Sequence, residues 1–366
     1  MKFVKSPSLK KYLQNLLEEN ELNLSVSDIL SSVIGNCEIT SKKEMDALKK
    51  NSSYSDKEIL LSRLVEYLGF DMSIEDNEMI FNKYISDIIY KVDMDKYLTN
   101  PFYLKFKNIS IKENGYELVM DRYTPYELFA YKDMEYFRDS YIEKNSIGYF
   151  DNEFKFLALN YKSTTWMSIT PNEIETMEKY INTVKGKLTV FGLGLGYFAY
   201  MISNKSDVNE ITIIEKDSNI INLFNKHIYP KFEHKEKIKI VKADALDYIK
   251  TPLVSDYAFV DLWHDPFDGL DLYLKFKKSQ QKSPNCTYFY WLESSFYMLL
   301  RRLMFTLINE QLEGLGEANY KKVESISDEI INRYYYATKN LTIASETDLS
   351  NLLSDDSLIA LALNDR

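Results

Sequence analysis

The spacing of hydrophobic and polar positions changes several times along the chain, and each change predicts a different kind of element. Near both ends, apolar residues recur every three or four positions, which is the period of an amphipathic helix. In the middle, short apolar runs alternate with helical spacing, as in buried parallel strands joined by helices. The pattern predicts a helical segment over 1–98, a β-rich one over 99–165, an α/β one over 166–295 and a helical extension over 296–366.

The amino-terminal segment carries apolar faces at helical spacing. Its two clearest faces are Leu9, Tyr12, Leu13, Leu16 and Leu17, and then Leu60, Leu64, Tyr67 and Leu68. Ser55 and Glu58 stand three residues apart before the second face and predict a capping box, in which each side chain satisfies an N–H of the first turn. We expect this segment to be a helical cap or a dimerisation module without chemistry of its own.

From Pro101 the pattern changes to that of paired strands. The predicted strands are 102–109, 116–120, 126–131 and 154–159. A turn at Asn114-Gly115 joins the first two, since this dipeptide favours a tight hairpin turn. We expect the layer to lie over the open edge of the α/β segment, with most of its aromatic residues in the core.

An apolar run at 187–191 opens the α/β segment and is followed by Gly192, Gly194 and Gly196, before helical spacing resumes at Phe198. This order predicts a strand, a tight turn and a helix. Glycines allow the turn and let a ligand lie against bare backbone, while the start of a helix offers unpaired N–H groups. The stretch therefore predicts a nucleotide site.

Further apolar runs follow, and acids stand at their ends. The runs are 208–214, 238–243, 256–260 and 286–292. Glu215 lies about 20 residues beyond the glycines, where a carboxylate can accept hydrogen bonds from a ribose diol. Asp244 and Ala245 follow the next run. We expect these turns to converge on the glycine loop.

The run at 256–260 ends in Asp261, His264 and Asp265. Ligands of open α/β sheets bind beyond the carboxyl ends of the strands, which would place these side chains beside a transferred group. A carboxylate there could take a proton or hold a cationic substrate, and a histidine could act as a base. The alternative is structural, with Asp261 capping the next helix and His264 a satisfied polar residue. We expect no metal.

The residues just before the glycine strand predict a helix start. Thr170 suits the N-cap, Pro171 the first helical position, and Glu173 would complete a capping box. Because this stretch precedes the first strand, Trp166 and Glu173 could also line the ligand pocket.

Residues 166–295 resemble the class I S-adenosylmethionine-dependent methyltransferase family, and most nearly its spermidine-synthase branch. The resemblance rests on the order and spacing of these turns. It implies a Rossmann-like fold that binds S-adenosylmethionine. It also implies cofactor-binding roles for Gly192, Leu193, Gly194, Gly196, Tyr197, Glu215, Asp244 and Ala245, and catalytic roles for Asp261, His264 and Asp265. Many methyltransferases have an acid two residues before the first glycine. This chain has Val190 there, and the spermidine-synthase branch also has a hydrophobic residue at that position. Asp261 and Asp265 are one residue further apart than the aspartates of that branch.

Three activities follow from these observations. The first is methyl transfer from S-adenosylmethionine to a small-molecule or protein nucleophile. The second is aminopropyl transfer, as in polyamine synthases. The third is NAD(P)-dependent oxidation, since 194–199 also fits the G-x-G-x-x-A fingerprint. A cofactor sensor or scaffold without activity is a fourth possibility.

Composition narrows the partners. A net charge of -10 and a pI near 5.1 argue against a nucleic-acid partner. No apolar run approaches the roughly 20 residues of a membrane helix, and 1–7 lacks the apolar core of a signal peptide. Two cysteines, Cys37 and Cys286, suggest a reducing compartment. We expect a cytoplasmic bacterial enzyme with no membrane contact, and a homodimer is one of the assemblies open to it.

Overall fold

Helices dominate both ends of the chain and strands its middle. The computed structural model describes residues 1–34, 39–138, 140–314 and 322–364. In these ranges the α-helices are α1 (Pro7–Val33), α2 (Lys42–Asn51), α3 (Asp56–Leu68), α4 (Glu75–Ile80), α5 (Met94–Leu98), α6 (Pro101–Phe106), α7 (Pro171–Thr183), α8 (Tyr197–Ser203), α9 (Ser218–Leu223), α10 (Ala245–Tyr248), α11 (Pro266–Gln280), α12 (Glu293–Leu312), α13 (Ile326–Thr338), α14 (Glu346–Leu352) and α15 (Asp355–Ala362). Two π-helical turns (Phe81–Ile85 and Phe224–Ile228) and two 3₁₀ turns (Tyr229–Lys231 and Lys235–Lys237) complete the helical structure of these ranges.

The strands belong to several separate sheets. They are β1 (Lys2–Phe3), β2 (Ile89–Lys91), β3 (Ile111–Glu113), β4 (Tyr116–Tyr123), β5 (Phe129–Ala130), β6 (Glu135–Phe137), β7 (Ile142–Lys144), β8 (Ile147–Tyr149), β9 (Phe154–Tyr161), β10 (Thr164–Ser168), β11 (Gly186–Phe191), β12 (Val208–Glu215), β13 (Ile238–Lys242), β14 (Tyr257–Val260), β15 (Thr287–Tyr290) and β16 (Thr342–Ile343).

The central sheet is parallel throughout, with the order β13-β12-β11-β14-β15. The chain first builds outward from β11 to β13 and then returns to the other side of β11 for β14. A topological switch point therefore lies between β11 and β14, where open α/β sheets bind ligands. Residues such as Ile211 and Ile213 are wholly buried, as expected of strands covered on both faces. The predicted α/β sheet of alternating strands and helices is confirmed.

A second sheet is antiparallel, with the order β10-β9-β4-β3. Asn114 and Gly115 join β3 to β4 with φ values of 51° and 82°, as a tight hairpin turn of this kind requires. The predicted turn and the predicted strand near 154–159 are confirmed. The predicted strand at 126–131 is wrong as placed, because only Phe129–Ala130 is extended there and it pairs with β8 in a different sheet.

The predicted strand at 102–109 is also wrong. Residues Pro101–Phe106 form helix α6 instead, and the strand that pairs with β4 is β3. The Asn100 side chain accepts hydrogen bonds from the N–H groups of Phe102 (2.9 Å) and Tyr103 (3.4 Å), and Pro101 occupies the first turn. Phe102 and Phe106 lie on one helical face with ring centres 4.5 Å apart.

At the amino terminus, α1 contributes to two hydrophobic cores. Leu9 and Leu13 pack into the core of the central sheet, whereas Val26 and Leu30 pack into a smaller core built with α3 and β2. The predicted capping box of α3 is present. Ser55 Oγ accepts from the Glu58 N–H at 3.3 Å, and the Glu58 carboxylate accepts from the Ser55 N–H at 2.7 Å.

The carboxyl-terminal helices pack together and return to the amino terminus. Helix α12 contacts α13 and α15, and its apolar residues complete the main core. Strand β16 pairs in parallel with β1, with Lys2 opposite Thr342 and Phe3 opposite Ile343. The two ends of the described chain therefore meet at one small sheet.

Two sequence expectations concern cysteines and membranes. Cys37 lies outside the described residues, while Cys286 is a half-buried free thiol. Among the residues that the structure describes, no helix has the length and apolar character needed to cross a bilayer.

Candidate functional site

The loop after β11 is shaped by its glycines. A Cβ at Gly192 would come within 2.0 Å of the Asp261 carbonyl oxygen, so only glycine allows the loop to lie against the end of β14. Gly194 has a φ of +52° and a Cβ there would meet nothing within 4 Å. Gly196 precedes α8 with a φ of 80°. The loop is thus packed tightly at Gly192 and presents bare backbone to open space at Gly194.

Glu215, at the end of β12, lies beside this loop. Its Oε2 accepts from the Leu193 N–H at 3.2 Å, and its Oε1 accepts from the Asp217 N–H at 2.8 Å. The Gly192 N–H also donates to the Ile214 carbonyl at 3.0 Å. These bonds bring the predicted ribose-binding carboxylate to the loop and fix its orientation.

Asp244 and Ala245 follow β13, one strand further out at the same edge. The Ala243 N–H donates to the Glu215 carbonyl at 3.1 Å, which ties this turn to the preceding one. Asp244 Oδ1 accepts from the N–H groups of Leu246 (2.8 Å) and Asp247 (3.3 Å) and so caps α10. The turns after β11, β12 and β13 therefore line one edge of the sheet, with an exposed Asp244 carboxylate.

The acidic loop after β14 separates into two parts. Asp265 Oδ1 accepts from the N–H groups of Phe267 (2.7 Å) and Asp268 (3.0 Å), and Asp268 accepts in return from the Asp265 N–H at 3.1 Å. This capping box starts α11. The exposed His264 ring lies 3.0 Å from the Asp268 carboxylate, measured from Nδ1. Both side chains are thus held at the start of α11, and the catalytic roles expected of Asp265 and His264 stay predictions.

Asp261 is placed differently. Its N–H donates to the Phe191 carbonyl at 2.9 Å, at the switch point, and its carboxylate makes no hydrogen bond to any described residue. Burial raises the pKa of Asp261 to about 7, although nearby His264 acts in the opposite direction. The expectation that Asp261 caps the next helix is wrong, because Asp265 does so.

Glu173 shares the surroundings of Asp261. Its N–H donates to Thr170 Oγ1 at 3.4 Å, as the N-cap prediction required. The carboxylate does not bond back to Thr170 in the described structure, so the expected capping box is incomplete. Burial, and then the charge of Asp261, raise the pKa of Glu173 well above its usual value. The two half-buried carboxylates are therefore close enough for the charge of Asp261 to disfavour ionisation of Glu173.

Two of the predicted cofactor-binding side chains face the core. The Tyr197 hydroxyl accepts from Asn100 Nδ2 at 3.3 Å and its ring packs edge-on against Phe102, so burial raises the pKa of Tyr197 to about 12. The Leu193 side chain is buried and its N–H is bonded to Glu215. Any contact that Leu193 or Tyr197 makes with a cofactor would therefore come from its backbone, and both predictions stay untested.

Aromatic residues of the antiparallel sheet stand next to the Glu215 turn. Tyr116 packs on Tyr161 at 4.7 Å and on Trp166 at 5.9 Å between ring centres. Burial and then the charge of Asp217 raise the pKa of Tyr116, which places this group beside the residues that follow β12. Trp166 was an expected pocket residue. Tyr116 and Tyr161 were missed, because only the register of β4 with β9 brings them together.

Comparison with protein-family models and with curated proteins finds no match. Several solved structures are similar to parts of the chain. One is a spermidine synthase in complex with the transition-state analogue AdoDATO, with 14% identity over 46% of this chain and 69% of that chain and a TM-score of 0.32. The spermidine synthase of Thermotoga maritima has 13% identity over 46% and 67%, with a TM-score of 0.30. A probable spermidine synthase of Corynebacterium glutamicum has 12% identity over 55% and 70%, with a TM-score of 0.32.

These similarities are too low to add to what the chain's own topology shows. The parallel order of the central sheet defines the class as a doubly wound α/β protein with its switch point between β11 and β14. Within that class, the residues at the switch point decide which activity to propose.

Proposed function

We propose that the protein transfers a group from an adenosyl sulfonium compound, S-adenosylmethionine or its decarboxylated form, to a nucleophile on a small molecule or protein. One observation carries the proposal. The oriented Glu215 carboxylate borders the glycine loop on one side of its bare backbone at Gly194, and Asp261, whose carboxylate is half-buried, lies beneath Gly192 at the switch point. Such a ligand offers a ribose diol to Glu215 and a positive charge to the acids.

The residues present fit this ligand chemically. The open space at Gly194 is a cradle that any Cβ would enter. Each carboxylate oxygen of Glu215 accepts one hydrogen bond from a backbone N–H and keeps a lone pair for a ribose hydroxyl. Tyr116 and Trp166 supply a half-buried aromatic wall nearby for a base.

When bound, such a ligand supplies an electrophilic carbon next to its sulfonium sulfur. The chain's own residues then align the nucleophile and exclude water, which accounts for most of such a rate acceleration. Asp261, once ionised, is the group placed to take the proton that the nucleophile loses. Burial and the charge of Asp261 favour the protonated form of Glu173, which can donate a hydrogen bond to another polar group of the acceptor molecule.

The proposal has two candidates for the transferred group. Methyl transfer is the first candidate. Aminopropyl transfer is the second, and the acid pair favours it, because neither Asp261 nor Glu173 is hydrogen-bonded to a described cation. A doubly cationic decarboxylated donor or a polyamine acceptor would balance that charge better than S-adenosylmethionine with its own carboxylate.

Calorimetry with S-adenosylmethionine, decarboxylated S-adenosylmethionine and NADH separates the activities. We expect one of the two sulfonium compounds to bind in the micromolar range and NADH not to bind. The tighter sulfonium compound identifies the donor. Binding of NADH alone would refute the transferase proposal and favour the oxidoreductase.

The substitution Gly194→Val tests the loop. We expect it to abolish donor binding while the protein remains folded. Gly69→Val is the matched control, because Gly69 also has a positive φ (+65°), also has nothing within 4 Å of a Cβ, and ends α3 far along the chain. Valine at either position strains the backbone by a similar amount, about 1–2 kcal/mol. Unchanged donor affinity in Gly194→Val would contradict the assignment of the loop.

A further inference from the structure

A second pocket, of about 390 Å³, lies between β6, the first half of α12 and the start of α15. Its lining includes Tyr136, Arg138, Ser294, Tyr297, Arg301 and Asp355. We propose that this pocket binds the oxyanion of a small ligand, a carboxylate or a phosphate group. The proposal does not depend on the proposed transferase activity.

The pocket is built around a buried arginine. The Arg301 side chain is only 2% exposed, its Nη2 donates to Asp355 Oδ1 at 2.5 Å, and its Nε donates to the Leu353 carbonyl at 3.3 Å. Its guanidinium carbon lies 3.6 Å from the centre of the Tyr136 ring. Nη1 has no hydrogen-bond partner in the described structure. A guanidinium seldom stays buried with donors unused, because an unpaired buried donor is destabilising.

A second polar group without a described hydrogen-bond partner lies on the side chain that packs against the Arg301 guanidinium. The Tyr136 hydroxyl is also buried and also lacks a partner among the described residues. The structure therefore contains two unsatisfied donors on two side chains that pack face to face. An oxyanion accepts from several donors at once, and a guanidinium matches its geometry better than any other side chain.

The charges around the pocket leave room for an anion. Asp355 is shared between two arginines, since Arg138 Nη2 donates to its Oδ2 at 2.7 Å. Arg138 is 74% exposed and can turn from Asp355 to a ligand. The other acid of the lining, Glu135, is exposed to solvent, which weakens its repulsion of a bound anion.

The position of the pocket is also typical of a ligand site. Ser294, Tyr297 and Arg301 follow one another on one face of α12, which begins just after β15 ends. The pocket thus lies along the first half of the helix that follows β15.

The test is calorimetry on the full chain with inorganic phosphate and with acetate, at low ionic strength and without any donor. We expect saturable binding of at least one anion, and the tighter one identifies the group. Arg138→Gln should weaken it about tenfold, and Tyr136→Phe, which removes only the hydroxyl, about threefold or more. Arg122→Gln is the control, because Arg122 is an exposed arginine paired with Glu153 elsewhere on the surface.

Two results would overturn the proposal. One is the absence of saturable binding of either anion up to about 10 mM, well above the range of a specific site. The other is equal binding by wild type, Arg138→Gln and Tyr136→Phe, which would place the anion elsewhere. Since Arg138 is exposed and the Tyr136 hydroxyl has no partner to lose, both variants should fold normally.

Discussion

Asp261 and Asp265 stand at the two ends of one loop, yet the fold uses them in opposite ways. Asp265 is exposed and gives its carboxylate to the N–H groups of Phe267 and Asp268. Asp261 is half-buried, has no described hydrogen-bond partner, and its pKa is raised to about 7. A carboxylate that caps a helix is stabilised as an anion by its donors, whereas one without donors is poised to exchange a proton.

The difference arises from where the strand ends and the helix begins. Asp261 directly follows β14 at the switch point, beneath Gly192. Asp265 precedes Pro266 and stands three residues before Asp268, which together are a recognisable helix-start signal. Two aspartates with a spacing that suggests an enzyme motif can therefore have unrelated roles.

The largest expected effect is that of Asp261→Asn on catalysis. If Asp261 takes the proton of the nucleophile, turnover of any acceptor used by the wild type should fall by about 10²- to 10⁴-fold. Donor affinity, measured by calorimetry, should fall much less than turnover, because Glu215 and the glycine loop are untouched and only the charge of Asp261 is lost. Asp265→Asn serves as the matched variant and should keep most activity. Equal losses in both variants would erase the distinction between the two aspartates.

The pH dependence of Asp261 gives the next effect. Its folded pKa of about 7 exceeds the ordinary value of 3.8, so the folded state binds more protons between these values. The free energy of unfolding contributed by this group therefore falls as pH rises from about 4 to 7. We expect Asp261→Asn to gain Tm relative to wild type over that range, as measured by scanning calorimetry.

Activity should show the opposite dependence on pH. A base must be ionised, so kcat/KM should rise through an apparent pKa of about 7. Glu173→Gln should leave much of this profile in place, because glutamine resembles the protonated Glu173. A flat profile below pH 8 would show that proton transfer to Asp261 does not limit the rate.

Asp265→Ala should affect stability rather than catalysis. Loss of a side-chain cap costs about 1 kcal/mol of unfolding free energy. Ser55→Ala removes the corresponding cap from α3 and should cost a similar amount, which can be measured by urea denaturation of both variants. Turnover should remain within about twofold of wild type. A greater than tenfold loss in Asp265→Ala alone would return this residue to the reaction.

His264→Gln should have the smallest effect. The contact with Asp268 is exposed, and such pairs contribute about 0–1 kcal/mol. His264 lowers the pKa of Asp261, so its removal should move the midpoint of the activity profile upward by a small amount. A downward shift would mean that His264 does not act on Asp261 through its charge.

The central sheet could be predicted because its signals are local. The Val, Ile and Phe runs coincide with β11–β15, and the glycines mark the turn. Helix α6 was predicted as a strand because Phe102, Leu104 and Phe106 alternate with polar or less apolar positions. The Asn100-Pro101 start signal favoured a helix, and the packing of Phe102 against Tyr197 and Tyr200 stabilises it.

The site could be predicted only in part, because only some of its signals are local. Glu215 and the glycine loop follow from spacing within one strand–helix–strand unit, β11–α8–β12. The pairing of Glu173 with Asp261 depends on how α7 packs against the end of β14, and the pairing of Tyr116 with Tyr161 depends on the register of β4 with β9. Long-range contacts of this kind leave no periodic signal in the chain.

The parallel pairing of β1 with β16 bears on how the molecule is assembled. Strand β1 pairs with Thr342–Ile343, so it stays unpaired on the ribosome until residues 342–343 have been synthesised. Closing so long a loop has an entropic cost, and the pairing of a two-residue strand offsets little of that cost. The start of α1 should therefore dock late. A bulky group fused to the amino terminus would lie beside β16, the strand with which β1 pairs.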